Sequence, residues 1–134
     1  NTKEFTPISG KIRNPLKWIY FKLILRMSPN SKQCVEYLLR KFKNSVDILQ
    51  GYSKVLLKEI DLNKIDFVFL DGGHSYETVR EDLSLLIANL KKNSIILCDD
   101  YNIFHYGVKK AVDQIKDDHD FKNLGRFALI KIRK

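Results

Sequence analysis

Cysteine and uninterrupted apolar stretches are scarce in this sequence, and both shortages exclude classes of protein. The chain has only two cysteines, Cys34 and Cys98, among 134 residues. That number excludes a disulfide-dense scaffold, and neither cysteine has a partner at the spacing of a metal site. No apolar stretch reaches the roughly 18 residues of a membrane-spanning helix, because lysine and arginine interrupt the richest one, residues 16–27. The N-terminus also lacks the pattern of a secretory signal peptide, so we expect a cytoplasmic protein.

Methionine is scarcer still. The only methionine is Met27, and the sequence begins at Asn1. As written, the chain is therefore not expected to be a complete translation product. We expect a processed chain, a trimmed chain or a fragment of a longer reading frame.

Acidic residues are few in the first third of the chain, and the net charge of +8 originates there. Residues 1–45 contain ten Lys or Arg and two acidic residues, whereas residues 46–134 contain fourteen of each sign. Such an asymmetry can mark contact with nucleic acid or a membrane surface. Because the basic residues are interspersed rather than clustered, we favour a solvated basic face and expect no nucleic-acid partner.

The composition itself, 44% apolar and 30% charged, is that of a globular protein. Its first 44 residues show helical periodicity. Apolar residues recur at helical spacing over 16–27, which predicts an amphipathic helix. Ser31 is suited to cap a second helix over about 32–43. Residues 1–15 contain two prolines and a glycine, and we interpret them as a loop.

From residue 45 onward, predicted strands and helices alternate. The strands are predicted at 46–49, 65–70, 94–98, 121–124 and 127–132, the last two forming a hairpin around Gly125. The helices are predicted at 53–60, 76–91 and 107–116. This alternation is typical of βαβ units, so we expect an α/β fold with a parallel sheet and helices on both faces. The nearly continuous apolar run at 65–70 predicts a strand buried on both faces.

Carboxylates follow two of the predicted strands directly. Asp71 comes after the strand at 65–70, and Asp99 and Asp100 come after the strand at 94–98. If these parallel strands are neighbours, the three carboxylates meet at one edge of the sheet, where ligands of such sheets bind. Three carboxylates suit Mg²⁺, and without a cation their like charges would raise one another's pKa. For any one of these acids alone, helix capping or solvent exposure is the favoured interpretation, whereas all three at neighbouring strand ends favour a functional site.

Other residues in the loops after the strands are candidates for the same site. His74 lies three residues after Asp71, where a neutral imidazole could take a proton from a substrate hydroxyl. Gly72 and Gly73 allow the backbone to approach a ligand closely. Tyr52 could stack on a flat base, and Ser53 either donates a hydrogen bond or caps the helix at 53–60. We interpret the remaining histidines, His105 and His119, as surface residues, with His105 near the site.

Three segments, IDFVFLDGGHSYETVREDLSLL, KKNSIILCDDYN and GVKKAVDQI, resemble the C-terminal half of class I S-adenosylmethionine-dependent methyltransferases. The resemblance is greatest to the metal-assisted, macrocin-type small-molecule O-methyltransferases, including those that act on sugars of macrolide and aminocoumarin antibiotics. It covers about residues 45–134 and depends mainly on DGxHSYE paired with a downstream DDY. It implies a Rossmann-like sheet of seven strands whose last, antiparallel strand lies between the fifth and sixth. The strands at 46–49, 65–70 and 94–98 would be the third to fifth.

The resemblance also implies roles for residues already singled out. Asp71, Asp99 and Asp100 would hold Mg²⁺, and His74 would be the general base. The cofactor would be S-adenosylmethionine. Its adenine would lie near Gly51, Tyr52 and Ser53, and its sulfonium near Asp71 and Gly72. The reaction implied is an in-line methyl transfer to a hydroxyl of a small molecule, such as a sugar. A catechol or a lipid-linked glycan is an open alternative for the acceptor.

Two features of the family are missing from the sequence. The first two strands and their glycine-rich turn are absent, and no Gly-x-Gly occurs anywhere. Residues 1–44 look like the variable insert that helps to cover the substrate, and residues 45–134 like the C-terminal half of the domain. We therefore expect the latter part of a longer methyltransferase, which alone binds the cofactor weakly, is inactive, and exposes a sheet edge.

A different class of function stays open at this stage. A half-domain without catalysis could use its basic N-terminal helices to bind an acidic partner or a membrane surface. Retention of Asp71, Asp99 and Asp100 favours the enzyme, because a basic binding surface does not need them. A phosphotransferase is disfavoured because no GxxxxGK[ST] phosphate loop is present.

Overall fold

The chain divides into two compact units, Asn1–Gln50 and Gly51–Lys134. The structure is a computed structural model, and it describes residues 14–24, 26 and 31–134. Within these residues, every helix is too short or too polar to cross a membrane. The predicted loop at 1–15 lies almost wholly outside the described residues.

Among its described residues, the first unit is helical over 15–24 and 32–42. Ser31 caps its longest helix as predicted, because its Oγ accepts a hydrogen bond of 3.2 Å from the amide of Cys34. The predicted helix over 16–27 is confirmed for residues 16–24, whereas Arg26 is not helical, with a φ of 52°, and residues 25 and 27–30 lie outside the described residues. The predicted helix over 32–43 is confirmed up to Phe42. The helices are α1 (Pro15–Ile19), which continues as a π-helical turn (Tyr20–Ile24), and α2 (Lys32–Leu39), which continues as a 3₁₀ turn (Arg40–Phe42).

The strand predicted at 46–49 is wrong, because residues 46–50 form neither helix nor strand. A strand needs a neighbour that pairs with its backbone N–H and C=O groups. The four described strands lie between residues 67 and 131 and pair only with one another. The apolar residues at 46–49 therefore have the local pattern of a strand, but no described strand pairs with them.

The second unit is built on one mixed sheet. Its strands are β1 (Phe67–Leu70), β2 (Ile95–Cys98), β3 (Asp120–Leu124) and β4 (Phe127–Lys131). They are ordered β1-β2-β4-β3, with β1 and β2 parallel and β4 antiparallel to both of its neighbours. The last strand thus lies between the two that precede it, as the resemblance implies. This order confirms the α/β fold of Rossmann-like type.

Three helices accompany the sheet, and the core forms where two of them pack on one of its faces. They are α3 (Ser53–Glu59), α4 (Tyr76–Asn89) and α5 (Tyr106–Asp113). Leu83 and Leu86 of α4 and Val112 of α5 are almost fully buried against β2 and β4. The helical period predicted for 76–91 and 107–116 places these residues on the inward side.

The opposite face of β1 is open, which corrects the prediction of burial on both faces. Phe67 and Phe69 are 54% and 50% exposed, whereas Val68 and Leu70 pack against the core. Because β1 is the edge strand of the described sheet, its aromatic side is covered less than that of an inner strand. The apolar run alone does not distinguish an edge strand from an inner one.

Candidate functional site

The loops after β1 and β2 meet at one edge of the sheet, which we call the rim. The amide of Asp99 donates to the carbonyl of Leu70 at 3.0 Å, so the two strands remain paired up to their ends. Asp71, Asp99 and Asp100 all lie at this edge. Their charges converge on one guanidinium, because Asp99 foremost, then Asp100 and Asp71, raise the pKa of Arg126.

One side of the rim is an ion pair with a permanent cation, and we call Asp71, Asp99 and Arg126 the arginine side. Arg126 Nε and Nη2 each donate to a carboxylate oxygen of Asp99 at 2.5 Å. The Asp99 side chain is only 6% exposed, whereas that of Arg126 is 62% exposed. Hydrogen bonds from Arg126 lower the pKa of Asp99 below its usual value, the amide of Asp100 contributes, and burial opposes them. Asp99 is therefore ionised at neutral pH.

The other side of the rim carries imidazoles, and we call His74, Asp100 and His105 the histidine side. His74 Nε2 lies 2.8 Å from Asp100 Oδ2, and His105 Nδ1 lies 3.6 Å from Asp100 Oδ1. The two imidazole rings stack with centroids 4.7 Å apart. Asp100 has a φ of 56°, a left-handed conformation that aspartate adopts more readily than most residues.

A close backbone contact brings the two histidines together. A Cβ on Gly107 would lie 2.3 Å from the carbonyl oxygen of His74 and 2.7 Å from the amide nitrogen of Tyr76. Only glycine fits there, so the start of α5 rests directly on the loop that carries His74. The residue before α5 is His105, whose amide donates to Asn102 Oδ1 at 3.2 Å. This contact brings the start of α5, next to His105, close to the loop that carries His74.

A narrow cleft opens beneath the rim. It is lined by the end of β1, by the loop from Asp71 to His74, and by Asp99. A Cβ on Gly72 would meet nothing within 4 Å, so the backbone of this loop is accessible to a ligand. The same cleft reaches Cys98, where burial raises the thiol pKa to about 12, which makes this cysteine unreactive at neutral pH.

The predicted adenine contacts lie at the start of α3. Tyr52 precedes the helix and its side chain is 56% exposed, and Gly51 lies just before it. Ser53 does not cap the helix through its side chain, and its Oγ donates to Asp82 Oδ1 on α4 at 2.7 Å. Burial raises the pKa of Asp82, and the hydrogen bond from Ser53 opposes that shift.

Sequence reasoning missed Arg126 and undervalued His105. Arg126 belongs to the hairpin between β3 and β4, which the sequence analysis treated only as a turn. The antiparallel register pairs Cys98 with Ala128, so the residue two before Ala128 falls opposite the residue two after Cys98, which is Asp100. This register is the signal that would have found Arg126. No pattern in the sequence signals the contact of His105 with His74.

Comparison with known proteins gives matches in sequence and matches in structure. The sequence profile of the methyltransferase domain family matches residues 18–101, more than half of the chain. Uncharacterized protein R132 of Acanthamoeba polyphaga mimivirus is 32% identical over 72 residues, which are 51% of this chain and 33% of that protein.

Solved structures with the same fold include two O-methyltransferases. CalS11, a TDP-rhamnose 3'-O-methyltransferase of calicheamicin biosynthesis, is 22% identical with a TM-score of 0.51, over 62% of this chain and 39% of its own. The O-methyltransferase NovP is 14% identical with a TM-score of 0.59, over 100% of this chain and 58% of its own.

These figures define how far the likeness extends. The chain spans between a third and three fifths of the length of the relatives named above. At such low identity the solved structures establish the fold, and the family follows from the profile match. The chain belongs to the methyltransferase domain family.

Proposed function

We propose that this chain is part of an enzyme that transfers a methyl group from S-adenosylmethionine to a hydroxyl of a small molecule, with help from Mg²⁺. The observation that carries the proposal is the convergence of Asp71, Asp99, Asp100 and His74 at the rim, in a domain of the methyltransferase family. A sugar hydroxyl is the favoured acceptor, because CalS11 is a methyltransferase of a TDP-sugar and has the same fold.

The cofactor contacts are proposed at two places. The accessible backbone of Asp71 and Gly72 is suited to lie beside the sulfonium end, since nothing stands within 4 Å of a Cβ built on Gly72. The exposed ring of Tyr52, with Gly51 and Ser53 beside it, is suited to stack on the adenine.

The donor set of the rim fits Mg²⁺ by its chemistry. Asp71, Asp99 and Asp100 offer carboxylate oxygens, the ligands that Mg²⁺ prefers. The rim already holds one cation, the Arg126 guanidinium, which occupies both oxygens of Asp99. Asp99 Oδ2 accepts one hydrogen bond, from Arg126 Nη2, and its second lone pair could bind a metal ion. Bound Mg²⁺ would supply positive charge that orients the acceptor oxygen and lowers its pKa.

His74 is proposed as the proton acceptor, and Asp100 as the group that orients it. When His74 Nε2–H donates to Asp100 Oδ2 at 2.8 Å, the lone pair lies on Nδ1. That nitrogen then takes the proton of the acceptor hydroxyl as the oxygen is methylated. The side chain is 46% exposed, so a substrate can reach it.

The experiment is a labelled methyl-transfer assay with the full-length protein and a panel of sugar nucleotides and catechols, in Mg²⁺ and after chelation. Chelation and Asp71→Asn are both expected to lower the rate at least about 100-fold, as loss of charge stabilisation typically does. The matched control is Asp66→Asn, at the opposite end of β1, where the carboxylate is 80% exposed and pairs with Lys91. Full activity of Asp71→Asn in the presence of chelator would refute the metal's role.

A further inference from the structure

The histidine side of the rim is arranged as a set of metal ligands that differs from the three carboxylates. We infer that His74, Asp100 and His105 form a binding site for Zn²⁺. One ligand atom from each residue lies within 4.8 Å of the others. His74 lies in the loop after β1, and Asp100 and His105 lie near the two ends of the connection from β2 to α5.

The distances are close to those that such a site requires. Zinc binds histidine nitrogen and carboxylate oxygen at about 2.0–2.2 Å, so ligand atoms of a tetrahedral site lie about 3.3 Å apart. His74 Nε2 and Asp100 Oδ2 are 2.8 Å apart, and His105 Nδ1 and Asp100 Oδ1 are 3.6 Å apart. The two distances involve different oxygens of Asp100, so the carboxylate would either bind through both oxygens or turn to present one oxygen to both nitrogens.

One nitrogen in this cluster has no partner to satisfy it. His105 Nδ1 is buried and makes no hydrogen bond within the described part of the chain. Its distance of 3.6 Å from Asp100 is too long for a hydrogen bond. A buried polar atom without a partner is costly, and a bound metal ion would satisfy this one. His105 occupies the N-cap position of α5, two residues before the close contact of Gly107 with the backbone of His74.

The donors decide which metal is preferred. Two imidazoles and one carboxylate favour a borderline ion such as Zn²⁺, whereas Mg²⁺ takes oxygen ligands. His74 is 46% and His105 37% exposed, so solvent reaches the site and a water molecule can complete the coordination. The cluster shares Asp100 with the proposed magnesium ligands but does not include Asp71 or Asp99.

One consequence of this inference rests on the proposed function. Coordination through His74 Nε2 leaves the proton on Nδ1, so the imidazole can no longer accept a proton from a hydroxyl. Zn²⁺ is therefore expected to inhibit methyl transfer, and a chelator that is selective for Zn²⁺ over Mg²⁺ is expected to restore it. The binding of Zn²⁺ itself does not depend on this consequence.

The test is a titration of the full-length protein with Zn²⁺ in competition with a chromogenic chelator, with Co²⁺ as a spectroscopic probe. The wild type is expected to bind one ion and to show ligand-field absorption with Co²⁺. Both His105→Gln and His74→Gln are expected to weaken binding at least about tenfold, the lower end of the loss caused by altering even the outer contacts of metal sites. Two independent variants keep the test valid if one of them fails to fold, which melting curves reveal.

Two control variants separate this site from other metal binding. His119→Gln changes the third histidine, which lies outside the cluster, and Asp71→Asn changes a proposed magnesium ligand. Both are expected to bind Zn²⁺ as the wild type does. Unchanged affinity of His105→Gln, or an equal loss in His119→Gln, would overturn the inference. Loss of Mg²⁺-dependent methyl transfer in Asp71→Asn with Zn²⁺ binding intact would support both proposals separately.

Discussion

The two sides of the rim contain consecutive residues of one loop and yet have opposite properties. Asp99 is 6% exposed and paired with an arginine that is charged at every physiological pH. Asp100, the next residue, lies closest to a histidine that is charged only when protonated, at 2.8 Å, and Arg126 Nη2 is farther away, at 3.5 Å. Both residues follow β2, and Asp100 leaves the strand direction in a left-handed conformation, with a φ of 56°.

This difference indicates a division of labour. A permanent ion pair fixes the geometry of the strand ends but exchanges no protons at neutral pH. An imidazole on a carboxylate, half open to solvent, can take up and release a proton there. We therefore assign proton transfer to the histidine side. The arginine side supports the strand ends and contains the proposed Mg²⁺ ligands Asp71 and Asp99.

The largest expected effect is on the rate of methyl transfer in His74→Gln. Glutamine can still donate to Asp100, but it cannot accept a proton from the substrate. Loss of a general base costs about 100- to 10,000-fold, so the rate at neutral pH should fall by at least about 100-fold. The control is His119→Gln, which should keep the wild-type rate. Equal rates in His74→Gln and the wild type would remove the functional distinction between the two sides.

A smaller effect is expected on stability in Gly107→Ala. The new Cβ would stand 2.3 Å from the backbone oxygen of His74, and the backbone cannot move aside cheaply. Overpacking of this kind costs about 1–3 kcal/mol, which denaturant unfolding would measure. Gly72→Ala is the matched control, with nothing within 4 Å, and should change stability by less than about 0.5 kcal/mol. If Gly107→Ala were as stable as the control, the contact would not position the histidine side.

The smallest effect is expected on the pH dependence of stability in Arg126→Gln. Arg126 holds the pKa of Asp99 below its ordinary value of 3.8. A lowered pKa contributes stability that is complete above that value and is lost as the pH falls through the native one. The melting temperature of the variant should therefore fall below that of the wild type at pH 7, and the difference should shrink below about pH 4.

The control for this comparison is Arg133→Gln, which removes an exposed ion pair with Asp120. Exposed pairs contribute little, typically less than about 1 kcal/mol. A loss in Arg126→Gln no larger than in Arg133→Gln would show that the arginine side does not stabilise the strand ends.

Much of the second unit could be predicted from the sequence because its signals are local. The period of the apolar residues in α4 and the apolar run of β2 each lie within one element. Gly125, with a φ of 75°, marks the turn between β3 and β4. The edge position of β1 could not be predicted in this way, because it depends on which strands pair with it.

The parts of the site that the sequence did not reveal depend on contacts between distant segments. Arg126 meets Asp99 only because β4 is inserted antiparallel to β2. His105 meets His74 only because Gly107 allows two loops to touch, although 31 positions separate the histidines. Residues 46–50 illustrate the opposite case, in which a local strand pattern is not realised.

The most direct test of a methyl-donor site at the rim is to follow the backbone amide resonances of the full-length protein during titration with S-adenosylmethionine. The largest shifts are expected at Gly51 to Ser53 and at Asp71 and Gly72, with Asp66 and the amides of β3 unaffected. Shifts confined to other residues, or no shifts at saturating cofactor, would contradict the assignment of this rim as the site of methyl transfer.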